Sequence, residues 1–176
     1  RQTNAFFTGV DLRVEQKLSN RFTAKLTASM LHASDVTNSD VFIYIPSNRA
    51  DISFRYEKEV TSVVKKLFVE AGTSFVAHQN RAPRVISIRE LTEAANEGVD
   101  LFATDNRAFD FTEAPNAYWL ANASAGMSLL LNNQTLDVRL SAENLFNKQY
   151  REYTNRMRYF ANETGRNINL SISYNF

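Results

Sequence analysis

The sequence predicts an all-β protein, an antiparallel transmembrane β-barrel to which this chain contributes seven strands. Three observations predict it. Apolar and polar residues alternate with a period of two in seven separate stretches. Those stretches run to about ten residues or longer, as a tilted membrane strand requires, against about five or six in soluble sheets. The links between them are alternately short and long.

A strand turns successive side chains to opposite faces, so each stretch reads as a two-faced ribbon. In the first, Val10, Leu12 and Val14 oppose Asp11, Arg13, Glu15 and Lys17. In the second, Phe22, Ala24, Leu26, Ala28 and Met30 oppose Thr23, Lys25, Thr27 and Ser29. The third sets Ala50, Ile52, Phe54 and Tyr56 against Asp51, Ser53 and Arg55. The fourth is the least regular: Leu67, Val69, Ala71, Thr73 and Phe75 oppose Glu70, Gly72 and Ser74, with Phe68 on the polar side. The fifth runs from Trp119 through Ala121, Ala123, Ala125, Met127 and Leu129 to Leu131, against Asn122, Ser124 and Ser128. In the sixth, Leu136, Val138, Leu140 and Ala142 oppose Asp137, Arg139, Ser141 and Glu143. The seventh alternates Ile168, Leu170, Ile172, Tyr174 and Phe176 with Asn167, Asn169, Ser171, Ser173 and Asn175. A soluble β-sandwich is the competing fold. Strand length, an Ala- and Leu-rich apolar face with aromatics at its ends, and a charged polar face all weigh against it.

Short links fall at Ser19-Asn20-Arg21 and Asn132-Asn133-Gln134, and a medium one at Lys58 to Lys65. Long links run from His32 to Asn48, Gln79 to Asn116 and Asn147 to Thr164. Outer-membrane barrels have short periplasmic turns and longer extracellular loops. A last strand ending in the periplasm places all three long links outside. The longest is expected to carry a helix. Ser87 and Glu90 form a capping box, Leu91, Ala94 and Ala95 follow at helical spacing, and Gly98 suits the stop.

Composition narrows the function classes. The net charge of +1 argues against nucleic acid as a partner. The absence of Cys excludes disulfides and thiolate chemistry here. No apolar run is long enough for a membrane helix, and the mean hydropathy of −0.35 is compatible with strands that face lipid at every second residue. An antiparallel barrel closes only with an even number of strands, and open edges in lipid are costly. Further strands are therefore expected from sequence upstream of Arg1, or from another chain, and a missing or processed N-terminus is expected.

The end of the chain reads Ala142-Glu143-Asn144-Leu145-Phe146-Asn147-Lys148-Gln149-Tyr150, then Gly165-Arg166-Asn167 and a terminal Ser173-Tyr174-Asn175-Phe176. This resembles the C-terminus of TonB-dependent receptors, closely over the last forty or so residues and loosely upstream. The looser matches are Thr3-Asn4-Ala5, Gly9-Val10-Asp11, Ile45-Pro46 and Ala77-His78-Gln79-Asn80-Arg81. The resemblance implies that residues 1–176 are the seven C-terminal strands of a barrel of about 22 strands with a plug in its lumen. It implies a multi-pass protein of the Gram-negative cell outer membrane, in contact with lipid and lipopolysaccharide. A small-molecule substrate such as a ferric siderophore or haem would bind outside, and the TonB complex would act through a plug this chain does not contain. The terminal aromatic strand, Tyr174 and Phe176, would serve as the signal to the barrel-assembly machinery. Relatives that carry other metals place a His in the stretch where this chain has Tyr153-Thr154. A passive porin-like barrel, or a barrel subunit of a larger outer-membrane complex, is the alternative.

The residues allow further readings. Arg81, Arg84, Arg89, Arg156 and Arg158, with Tyr153, Tyr159 and Phe160 nearby, suit an anionic or flat ligand, lipopolysaccharide phosphates, or plain solubility. Asn144, Asn147 and Gly165 fit turns. Asp137, Arg139 and Glu143 share a face and are expected to pair with one another, with neighbouring strands or with the plug. His32 and His78 fall near the outer rim, and two isolated His are a weak metal signal. No catalytic arrangement and no cofactor site stands out, and an enzyme is not expected.

Overall fold

A computed structural model of the chain describes residues 3–103, 107–132 and 134–175. Its elements are β1 (Ala5–Lys17), β2 (Phe22–Asp35), β3 (Arg49–Lys58), β4 (Val64–Val76), β5 (Arg84–Val85), α1 (Ile88–Asn96), β6 (Phe109–Asp110), β7 (Tyr118–Leu131), β8 (Gln134–Glu143), a 3-10 turn at Arg156–Tyr159, and β9 (Asn167–Asn175). The seven long strands form one antiparallel sheet in the order β1-β2-β3-β4-β7-β8-β9. The short β5 and β6 pair in parallel, apart from it. The seven patterned stretches are thus the seven strands, although β1 begins at Ala5, upstream of the alternation read from Val10. Phe176 and Asn133 lie outside the described residues.

The register carries the alternation across the whole sheet. Leu26 sits opposite Val14 on one side and Ile52 on the other. Ala71 lies between Phe54 and Ala123, and Leu140 between Ala125 and Leu170. Because side chains alternate with period two, a slip of one residue anywhere would reverse that strand's faces, and none occurs along these rows. The β4–β7 pair shifts register only between Val64 and Lys66, at its end. The result is one apolar face seven strands wide. That face is open: Val10 is 66% exposed, Phe54 52%, Trp119 50% and Leu170 65%. Among the described residues no second layer covers it. The sheet does not close on itself, and β1 and β9 are its two edges.

Turn chemistry ends the strands. Ser19 Oγ accepts from the backbone N–H of Arg21 and Phe22, both at 3.2 Å, closing the first turn. At the end of β8, Asn144 and Asn147 adopt left-handed backbone, φ 49° and 51°, which Asn tolerates better than most residues. Asn144 is buried and forms two bonds with the Lys148 backbone, each 2.8 Å. Asn147 Oδ1 accepts from the Arg166 N–H at 2.9 Å, so the segment after β8 and the segment before β9 meet at one amide.

The polar face has its own order. Arg55 pairs with Glu57 at 3.1 Å and Glu70 at 3.3 Å, and Glu57 also takes Lys66 at 2.6 Å. Arg139, Asp137 and Glu143 do not pair with one another there. Arg139 donates to Ser124 Oγ at 3.2 Å, while Asp137 accepts from Ser128 and Asn175, so the bonds run across strands. Cross-strand neighbours supply these partners, as is usual on one face of a sheet.

Phe68, the exception in the pattern, lies directly opposite Gly126. Its ring occupies the space a Cβ at Gly126 would fill, with ring carbons 2.6 and 2.9 Å from that position. The Arg55 guanidinium lies 3.8 Å from the ring centroid and that of Arg139 5.8 Å. An aromatic laid over a cross-strand glycine and flanked by cations stays on a polar face at little cost. Gly126→Val is expected to destabilise the sheet by about 1–3 kcal/mol, the usual range for overpacking. Phe68→Ala in the Gly126→Val background should recover part of the loss. Urea unfolding of the two variants checks the coupling.

Candidate ligand-facing loop cap

The three long links, residues 36–48, 77–117 and 144–166, all leave from the same end of the sheet. They hold one another in a folded cap. Its hub is Asp110, whose residue is 1% exposed, paired with Arg158, 2% exposed. One Arg158 amino group donates to the Asp110 carboxylate, and the other reaches Thr112 Oγ1 at 3.1 Å and the Glu113 carbonyl at 3.4 Å. The Tyr159 hydroxyl donates to the second Asp110 oxygen at 2.5 Å and lies 2.9 Å from the Tyr44 hydroxyl. The guanidinium is also flanked by the Tyr153 and Tyr159 rings, at 4.8 and 4.5 Å. Asp110 comes from the second link, Arg158, Tyr159 and Tyr153 from the third, and Tyr44 from the first.

Local chemistry places each partner. The Ile86 N–H donates to the Asp110 carbonyl at 2.8 Å, which fixes β6 beside β5. Phe109 and Phe111 flank Asp110 in sequence and extend a ring series from Phe102 to Tyr159, with centroids 5.1 to 5.8 Å apart. Asn155 Oδ1 accepts from the Met157 N–H at 2.9 Å and starts the 3-10 turn that presents Arg158 inward. A second tie joins cap to sheet. Glu152 accepts from Arg49 at 2.8 Å and from the Tyr118 hydroxyl at 2.5 Å, so it spans the first residues of β3 and β7.

The expected helix forms at Ile88–Asn96. Ser87 Oγ accepts from the Glu90 N–H at 3.1 Å, and Gly98 at φ 68° ends the turn. Only Ala94 of the helix is buried, so it lies along the cap's surface.

The hub shifts its tyrosines. Burial, then the hydrogen bond to Asp110, then that to Tyr44 push the Tyr159 hydroxyl far above its ordinary value of 10.0. Burial first, then the Asp110 charge, raise Tyr153 in the same direction. A raised folded-state value means that the stabilisation is complete below the unfolded value of 10.0 and is lost as pH rises beyond it. The cap is therefore expected to loosen in alkali while remaining insensitive around neutral pH. Tyrosinate absorbance should show late-ionising groups, and Tyr159→Phe should remove one.

The seven loop residues singled out from sequence do not converge. Arg158 and Tyr153 are interior and engaged in the hub, and Tyr159 is half-buried beside them. Arg156 is exposed, its guanidinium 5.4 Å from the Tyr44 ring. Arg89 lies on the exposed side of α1, paired with Glu93 at 2.7 Å. Arg84 is half-buried on β5. Arg81 is exposed on another side altogether and donates to Ser34 Oγ at 3.0 Å. On the 3-10 turn, Met157 is 60% and Phe160 78% exposed, and with Arg156 they form the part of this turn open to a partner. Tyr174 stands on the apolar face, opposite Leu136.

Asp110 and Tyr44 went unnoticed in the sequence. A carboxylate between two phenylalanines was the available signal, since such a group is costly to bury without a cation. A wide polar recess of about 500 Å³ opens on the sheet's charged face, lined among others by Glu70, Asn122, Arg139, Glu143 and Tyr150. Among the described residues no cluster of three or more His, Asp or Glu is arranged to hold a metal. Comparison with protein-family models, with curated proteins and with solved structures finds no match.

Proposed function

We propose that this chain forms part of the wall of a bacterial outer-membrane β-barrel, and that the barrel is a TonB-dependent receptor importing a scarce iron complex. The observation that carries the reading is the uncovered apolar face running across seven strands, backed by a charged face. Soluble monomers rarely expose a contiguous apolar patch beyond a few hundred Å². From Trp119 to Leu131 the apolar side of β7 runs roughly 40 Å at about 3.4 Å per residue. A tilt of about 35–45° leaves roughly 28–33 Å of height, near the thickness of a bilayer's hydrocarbon core. Aromatics gather towards both ends of the face, Phe75 and Trp119 near the long links, Phe22, Tyr56 and Tyr174 near the short ones, as in the interfacial girdles of barrels. Two open edges call for further strands to complete the wall.

The receptor assignment adds the C-terminal motif order to this. Asn144, Asn147 and Arg166, which carry much of that motif, meet at one junction in the fold. Ligand would approach the loop cap, where Arg156 and Phe160 are open. Two experiments test the reading in turn. The native protein should fractionate with outer membranes and resist carbonate extraction. Uptake of a ferric siderophore by cells carrying it should cease when proton-motive force is collapsed. Release into the soluble fraction would sink the barrel reading. Passage that persists without energy would leave a passive barrel instead of a receptor.

A further inference from the structure

At the end of the sheet that bears the long links, the apolar face gives way to a recess of about 320 Å³. Val10 and Met30, cross-strand partners 66% and 57% exposed, form its lower wall. Thr8 and His32, the next pair on the same face, stand above them. His78 and Arg81 close it from the segment following β4. No carboxylate is among the residues lining it.

The cationic rim is built in. Gln79 is buried and donates to the Ile45 and Pro46 carbonyls at 2.9 and 3.2 Å, while its own Oε1 accepts from the Arg81 N–H at 3.1 Å. The Ala77 N–H donates to the Asn48 carbonyl at 2.9 Å. These bonds fold residues 77–81 back over the apolar side. Arg81 then donates to Ser34 Oγ, which lies 3.3 Å from His32 Nε2. His78 Nδ1 lies 2.9 Å from the Pro115 carbonyl, an acceptor only, so Nδ1 carries the proton and Nε2 faces outward.

From this arrangement we infer that the recess binds the phosphate of a phosphorylated membrane lipid, with an acyl chain running down over Val10 and Met30. The inference rests on the membrane reading above and names a lipid partner and its site. Arginine donors suit phosphate oxygens, and Arg81 stands at the mouth of the recess. A free anion has no use for the apolar wall. A neutral lipid has none for Arg81. Cations at the rim of a lipid-facing surface lie at the depth of lipid headgroups. Phe6, 56% exposed and opposite Ser34, supplies the aromatic expected at that depth.

The test uses the native protein in a nonionic detergent, titrated with diphosphorylated lipid A, with its dephosphorylated counterpart and with inorganic phosphate, and read by native mass spectrometry. Arg81 and His78 are both exposed, so replacing them leaves the fold in place. The double variant Arg81→Ala/His78→Ala is expected to bind diphosphorylated lipid A about tenfold more weakly, and Arg81→Lys to keep most of the affinity. The dephosphorylated lipid should not distinguish wild type from the double variant. Equal binding of lipid A by both proteins would overturn the inference, as would full competition by inorganic phosphate. A protein that enters micelles and then shows no such discrimination overturns this site alone. A protein that needs no detergent overturns the membrane reading with it.

Discussion

Ala125→Arg in the native protein is expected to cost about 2–4 kcal/mol in a bilayer, the largest effect of any single change on the sheet. Ala125 lies midway along the apolar side of β7, between Val69 and Leu140. A guanidinium there would sit far from either end of the face, where snorkelling to water is hardest. The same substitution at Leu131, at the end of the strand, should cost no more than about 1 kcal/mol, because the penalty falls towards the interface. Asn169→Lys, on the polar side of β9, should stay within about 0.5 kcal/mol. Urea titration of the protein folded into liposomes measures all three. A flat response to depth, together with folding in plain buffer, would show that the apolar face meets something other than lipid.

Arg158→Ala is expected to open the cap. Removing one partner of a buried ion pair costs about 3–5 kcal/mol, most of it the uncompensated charge left behind. Here the orphan is Asp110, left with the Tyr159 hydroxyl and the Phe111 N–H as donors. The effect should be confined to the links. Hydrogen exchange should accelerate at residues 107–117 and 153–160 and stay unchanged in β7 and β8. Arg158→Met combined with Asp110→Asn should recover much of the protection, since an uncharged pair has no such desolvation to offset. Unchanged exchange accompanied by weaker ligand binding would mean that Arg158 reaches the ligand instead of holding the cap.

The strands were legible because their information is local. Leu136 to Glu143 alternates without a break, and its partners in β7 and β9 follow from turns and a shared register. The helix start was legible for the same reason, a Ser three residues before a Glu. Phe68 shows where local reading stops short: the residue that accommodates it, Gly126, is on a strand remote in sequence. The loop cap was hardest. Arg158 meets Asp110 across 48 positions, and no periodicity encodes such a pairing. The five loop arginines grouped from sequence point in different directions, because side chains in irregular segments take their direction from tertiary contacts. The Asp110 pair turns Arg158 inward, while the Gln79 anchor carries Arg81 to the far side of the sheet.

The clasp at Asp110 also bears on how this surface would be seen by an immune system. Residues contributed by three separate links are neighbours only while the clasp holds, so an antibody raised against the folded protein would recognise a discontinuous epitope. It would lose its target on a denaturing blot, and a synthetic peptide copying one link would not compete for it. The exception is α1. It carries its own cap at Ser87, its own stop at Gly98 and an almost fully exposed surface, so a peptide spanning it is a linear immunogen the cap offers.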